Sequence, residues 1–166
     1  MRASLGADLA ITNGGGIRGN RVIAAGSTLT RKDILSELPF GNLEILVELS
    51  GADLLTALEN GVSAVEQKAG RFPQTAGLTI VYDPQVESGK RLRSVTIGGK
   101  PLAPDAVYRV TTSDYLAAGG DGYAGLSRGK VVSDTRFAKL LATTVAEYIE
   151  RQGTVAPPLE GRISAR

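Results

Sequence analysis

The chain has 166 residues, of which 42% are apolar and 22% charged, a composition that suits one globular domain and excludes a disordered or collagen-like chain. Its net charge is +2, with Lys and Arg scattered among acidic residues, so there is no basic stripe for nucleic acid; no apolar run reaches the ~18 residues that a membrane helix needs. There is no Cys and no His, which rules out disulfides, thiolate metal sites and Ser-His-Asp catalysis, and leaves any hydrolase built on imidazole-bound metals in need of another domain.

Residues 7–13 form a short apolar run ended by Gly14, Gly15 and Gly16, which predicts a buried strand followed by a loop. Thr30 and Asp33 have the spacing of a capping box, and Ile34, Leu35 and Leu38 share one helical side up to Pro39, so a two-turn helix is expected there. Residues 43–49 are β-like. Ser50 and Asp53 repeat the N-cap pattern and start a helix with Leu54, Leu55, Leu58, Val62 and Val65 on one face, expected to end near Gly70. Residues 78–82, 91–97 and 107–112 are rich in β-branched and aromatic side chains and are separated by turn residues, which predicts an antiparallel meander. After a loop over 113–129, Phe137, Leu140, Leu141, Val145, Tyr148 and Ile149 predict a last helix from about Thr135 to Gln152, stopped by Gly153. The partial segregation of strands and helices gives an α+β class: one domain with a mixed, largely antiparallel sheet and packed helices. No linker or internal repeat divides it.

Gly14, Gly16 and Gly19 satisfy G-x-G-x-x-G after a predicted strand. A dinucleotide-binding turn must open directly into a helix whose N-terminus holds the pyrophosphate, and here the next helix signal waits until Thr30. Taken alone, the glycines are as well explained by a plain connecting turn.

A longer pattern narrows the choice. Asn13-Gly14-Gly15-Gly16-Ile17-Arg18, then Leu38-Pro39-Phe40-Gly41-Asn42, then the run from Tyr115 to Tyr123 that contains Gly119-Gly120-Asp121-Gly122 closely resemble, in order and spacing, three motifs of the 5'-nucleotidase C-terminal domain. Gln74-Thr75-Ala76-Gly77 and Glu160-Gly161-Arg162-Ile163 extend the resemblance over nearly all of residues 1–166. The resemblance implies a substrate-binding domain whose loops hold the nucleoside part of a nucleotide. It also implies a separate N-terminal metallophosphoesterase domain carrying two divalent metals, and no cofactor or metal in this chain. By the same pattern Met1-Arg2 is similar to the tail of a family helix, most of which is absent here, and a periplasmic or extracellular setting is expected although the first residues lack the layout of a signal peptide.

The roles that the resemblance assigns fit the chemistry of the side chains. Phe40 and Tyr115 match the two positions of an aromatic clamp; the second is usually Phe in the family, so Tyr115 adds a hydroxyl. Arg18 offers a guanidinium fork for ribose hydroxyls or phosphate oxygens, on a loop where Gly15 and Gly16 let backbone approach a ligand. Asp121 is placed to accept ribose hydroxyls, and Asn13 and Asn42 can each read a base edge. Each also has an ordinary structural explanation, as a core aromatic, a solvated arginine or a turn residue. The chain alone is expected to lack phosphatase activity. Related readings are a domain of a 2',3'-cyclic-nucleotide phosphodiesterase, UDP-sugar hydrolase or thiosulfohydrolase, a free-standing nucleoside-binding module, and a structural remnant that binds nothing.

Overall fold

The computed structural model describes residues 1–166. In chain order the strands are β1 (Leu9–Asn13), β2 (Glu44–Ser50), β3 (Pro73–Ala76), β4 (Leu78–Tyr82), β5 (Leu92–Ile97), β6 (Lys100–Pro101), β7 (Val107–Ser113), β8 (Lys130–Val131) and β9 (Ile163–Ala165). The α-helices are α1 (Arg31–Glu37), α2 (Gly51–Val62), α3 (Asp114–Ala117), α4 (Ala124–Ser127) and α5 (Leu141–Gln152), with short 3-10 turns at Gly14–Gly16, Gly120–Gly122 and Thr135–Phe137. This is an α+β fold.

The strands divide between two sheets. One has the order β3-β1-β7-β2-β8, antiparallel except where β1 runs parallel to β7; the other has the order β6-β5-β4-β9, with β9 parallel to β4. Both contribute to one core, in which Leu9 and Ile11 of β1, Val47 of β2, Val110 of β7 and Ile80 of β4 meet Leu54 and Leu58 of α2. Helix α2 follows β2 directly because the Ser50 side chain accepts the Asp53 N–H and turns the chain, after which Leu54, Ala57, Leu58 and Val62 face the core. Helix α1 begins with the full capping box, Thr30 and Asp33 each bonding the other's backbone.

Three expectations need correction. The second helix stops at Val62 rather than near Gly70: the Ser63 hydroxyl donates to the Asn60 carbonyl at 2.7 Å, competing with the helical ladder, and Lys68 then turns the chain at φ 50°. The third strand of the expected meander leaves β4 and β5 and enters the other sheet as β7, between β1 and β2. Its consecutive buried residues Val110, Thr111, Thr112 and Ser113 suit a central strand covered on both faces, and the polar Thr and Ser side chains hide that from a hydropathy pattern. The last helix starts at Leu141, not Thr135, because Lys139 and Leu140 extend alongside the residues that lead into β2, with the Glu44 N–H donating to the Lys139 carbonyl and the Leu141 N–H to the Asn42 carbonyl, both at 2.8 Å. Phe137, expected on the buried face of that helix, is 80% exposed. Strand β9 carries no signal of its own in the composition.

The core and the caps should separate cleanly in stability measurements. Leu58 is fully buried, so Leu58→Ala should cost about 2–5 kcal/mol in urea unfolding, while Thr30→Ala at the exposed start of α1 should cost about 1 kcal/mol. Equal effects would contradict a core centred on α2.

Candidate functional site

The functional residues expected from the sequence lie on three segments that the sheet register brings to one edge of the fold. Asn13 ends β1 and Glu44 opens β2 opposite Ser113, the last residue of β7, so the glycine turn, the Phe40 loop and the Tyr115 helix all leave the same sheet. The join between the latter two is direct: the Leu43 N–H donates to the Asp114 carboxylate and the Asp114 N–H to the Leu43 carbonyl, each at 3.0 Å.

Asn13 is 5% exposed, and its side-chain amide donates to the Asp121 Oδ2 at 2.6 Å. Asp121 itself sits at φ 53°, a left-handed conformation, between Gly119 at φ 89° and Gly122 at φ 82°. Four hydrogen bonds hold it there. Its Oδ1 accepts from the Tyr115 hydroxyl at 2.8 Å, its N–H donates to that hydroxyl at 3.1 Å, and its carbonyl accepts from the Asn60 Nδ2 at 3.0 Å, in addition to the Asn13 bond. The Tyr115 ring lies on Gly120 so closely that a Cβ there would stand 2.5 Å from ring carbons, which restricts that position to glycine. Donation to the Asp121 carboxylate raises the Tyr115 hydroxyl above the usual phenol range, with desolvation adding to the effect.

The glycine turn is fixed from below. Gly14 and Gly15 donate their N–H groups to the carbonyls of Phe72 and Gly70, both at 2.7 Å, and a Cβ on Gly15 would stand 3.0 Å from the Gly70 Cα. The Gly15 amide is therefore committed within the protein. Gly16 packs against the Asn13 side chain and lines a cleft of about 200 Å3 with Thr12, Leu38, Phe40, Asn42 and Ala142 among others. Tyr115 and Asp121 lie outside that lining. Arg18 extends past the turn with its guanidinium carbon 5.3 Å from the centre of the Phe40 ring, a cation–π arrangement. Phe40 is 55% exposed and Tyr115 44%, so neither is a core aromatic.

Apart from Gly15, whose N–H is held by the Gly70 carbonyl, the expected positions form two linked groups. Asn13, Tyr115 and Asp121 make one hydrogen-bonded cluster; Arg18, Phe40, Asn42 and Gly16 make the other, around the cleft; the contact of Asn13 with Gly16 connects them. Sequence reasoning missed the supports. Glu37 accepts from the Gly19 N–H at 3.0 Å and from the Arg21 Nε at 3.3 Å, and its carbonyl accepts the Arg18 N–H at 2.8 Å, pinning the loop that carries Arg18. Asn60 bonds both the Asp121 carbonyl and the Arg71 guanidinium, and Tyr123, fully buried, donates its hydroxyl to the Arg71 carbonyl at 2.6 Å. Burial pushes the Tyr123 hydroxyl well above the ordinary phenol range, reinforced by the nearby Asp121 charge. Asn60 lies off the apolar face formed by Leu54, Leu58 and Val62, so helical periodicity carries no signal for it.

No group of three or more His, Cys, Asp or Glu side chains is arranged to hold a metal ion. The residues present do not fit a dinuclear centre.

The family model for the 5'-nucleotidase C-terminal domain matches residues 1–128. The chain belongs to this family. Among relatives of the 5'-nucleotidase C-terminal domain, it is similar to the trifunctional nucleotide phosphoesterase protein YfkN of Bacillus subtilis, with 36% identity over 98% of this chain and 11% of that protein. It is also similar to the mouse 5'-nucleotidase, with 34% identity over 93% of this chain and 28% of the relative. A solved structure of the 5'-nucleotidase precursor from Thermus thermophilus superposes with a TM-score of 0.88 and 36% identity, over 99% of this chain and 32% of that one. The Haemophilus influenzae NAD nucleotidase superposes at 0.79 with 26% identity, over 96% and 30% of the two chains. The chain therefore spans about a third or less of each of these relatives. No helix is long and apolar enough to cross a membrane.

The Tyr115 to Asp121 bond gives a direct test of the site's geometry. In Tyr115→Phe the Asp121 N–H loses its acceptor, so its hydrogen exchange should speed up by roughly 2- to 12-fold, the range of one net hydrogen bond, while exchange within β2 and β7 stays unchanged. Unchanged exchange at Asp121 would contradict the described loop.

Proposed function

We propose that this domain recognises the nucleoside part of nucleotides and orients the phosphate toward a dinuclear metal centre on a separate metallophosphoesterase domain. The observation that carries the reading is the linkage of Asn13, Tyr115 and Asp121 from segments far apart in sequence, beside a cleft edged by an exposed Phe40. A fold that only needed a tight turn has no use for two exposed aromatic rings next to a carboxylate and an arginine. Membership in the 5'-nucleotidase C-terminal domain family and the names of the relatives support the same substrate class.

In this reading the rings of Phe40 and Tyr115 stack on a base, which any base tolerates because each has a π face. Asp121 accepts ribose hydroxyls: each of its oxygens already accepts one hydrogen bond, from Asn13 and from Tyr115, and each has further lone-pair capacity. Arg18 now covers one face of Phe40; a base stacking on that face displaces the guanidinium, which is then free for ribose or phosphate oxygens. Asn42 lines the cleft and reads a base edge. The domain's share of phosphoester hydrolysis is positioning, worth as much as the orientation it enforces. The partners are a nucleoside or nucleotide and the metal-bearing domain, in a periplasmic or extracellular setting; one relative is a snake venom 5'-nucleotidase.

Titration of adenosine, adenine and ribose 5-phosphate, followed through the amide shifts of Gly16 and of Gly119 to Gly122, tests this. Phe40→Ala and Tyr115→Ala should each weaken adenosine by roughly 5- to 100-fold, from about 1–3 kcal/mol per stacked base, and ribose 5-phosphate should bind poorly. Asp121→Asn should weaken adenosine more than adenine. The chain alone should not hydrolyse 5'-AMP with manganese, cobalt or zinc present. Absence of any shift with adenosine, or wild-type binding by Phe40→Ala, would replace this reading with a structural one.

A further inference from the structure

The geometry points to Asn60 as a positioning residue for sugar recognition: a strut from α2 through Asn60 and Arg71 that ties the Asp121 loop to the glycine turn. This rests on the nucleoside reading above.

The strut is continuous. From Asn60, the side-chain Nδ2 donates to the Asp121 carbonyl at 3.0 Å, while its Oδ1 accepts from the Arg71 guanidinium at 3.2 Å. The same Arg71 nitrogen donates to the Ser63 hydroxyl at 3.3 Å, and the Arg71 carbonyl accepts from the buried Tyr123 hydroxyl at 2.6 Å. On either side of Arg71, the carbonyls of Gly70 and Phe72 receive the N–H groups of Gly15 and Gly14. One short segment, Gly70 to Phe72, therefore fixes the glycine turn with its backbone and the Asp121 loop with its side chain, through Asn60.

The arrangement specifies orientation as well as attachment. Arg71 presents only donors, so its bond selects the Asn60 oxygen and turns the amide nitrogen toward Asp121. Asp121 is in a left-handed conformation that a non-glycine residue does not adopt readily, and its carbonyl bond to Asn60 opposes relaxation of that backbone. A tilt of the peptide would swing the carboxylate away from both Asn13 and the ribose position. The base contacts assigned to Phe40 and Asn42 lie on the other group of the site and do not depend on this bond, and only the Tyr115 ring, bonded to Asp121, couples the base to it. Loss of the strut should thus be read more strongly by the sugar than by the base.

The test compares adenosine and adenine titrations of the full chain in wild type, Asn60→Asp and Arg71→Gln. Asn60→Asp keeps the shape and the acceptor for Arg71 but removes the donor to Asp121; Arg71→Gln keeps the donor and removes what orients it. Asn60→Asp should weaken adenosine by about 5- to 10-fold and adenine by less than about 2-fold, in the range of one hydrogen bond, and Arg71→Gln should shift the adenosine-to-adenine ratio in the same direction by a smaller factor. If Asn60→Asp does not fold, the ratio in Arg71→Gln decides. A ratio equal to wild type, or an equal loss for both ligands, overturns the positioning role while leaving the nucleoside site intact. A wild type that binds neither ligand overturns the nucleoside reading and this inference together.

Discussion

The hydrogen bond from the Asn13 amide to the Asp121 carboxylate, 2.6 Å long, joins residues 108 positions apart and depends on everything around it. Asn13 is nearly inaccessible at the end of β1, so its amide needs a partner, and Asp121 can supply one only from a left-handed backbone held between two glycines of positive φ. A buried amide without that acceptor would cost about 1–3 kcal/mol, enough to make the loop's conformation part of the fold. The bond also passes force both ways: the position of Asp121 sets the orientation of Asn13, and Asn13 packs on Gly16.

The sheet makes this possible by topology rather than by local propensity. Strand β7 lies between β1 and β2, so the ends of all three strands meet, and the segments that follow β1 and β7 and precede β2 converge on one edge. The loops are then fixed mostly by backbone bonds, such as those between Leu43 and Asp114 and between Gly15 and Gly70, which leave the side chains of Arg18, Phe40 and Tyr115 at the surface. Rigid backbone beneath exposed aromatic and charged groups is the arrangement expected of a recognition surface, because little conformational entropy remains to be lost on binding.

Local elements were legible where chemistry acts within a few residues. The Thr30 and Asp33 box, the Ser50 cap and the bounds of β4 follow from adjacent side chains. What was not legible depends on distant partners. Ser63 ends α2 by bonding Asn60, β7 joins the other sheet through its pairing with β1 and β2 and the burial of Val110, and residues 138–140 extend because the chain at the start of β2 offers hydrogen bonds. The same division holds at the site. Ordered motifs brought Asn13, Arg18, Phe40, Tyr115 and Asp121 to notice, but nothing in the local sequence of Glu37, Asn60 or Tyr123 indicates which loop each one holds. Residues that act through others leave no spacing of their own.

The central claim is that these loops form one nucleoside site, and intermolecular proton contacts of bound adenosine test it most directly. The account predicts nuclear Overhauser effects from the adenine protons to the rings of both Phe40 and Tyr115, and from the ribose protons to the loop carrying Asp121. Contacts to neither ring, or a ribose lying away from Asp121, would contradict it.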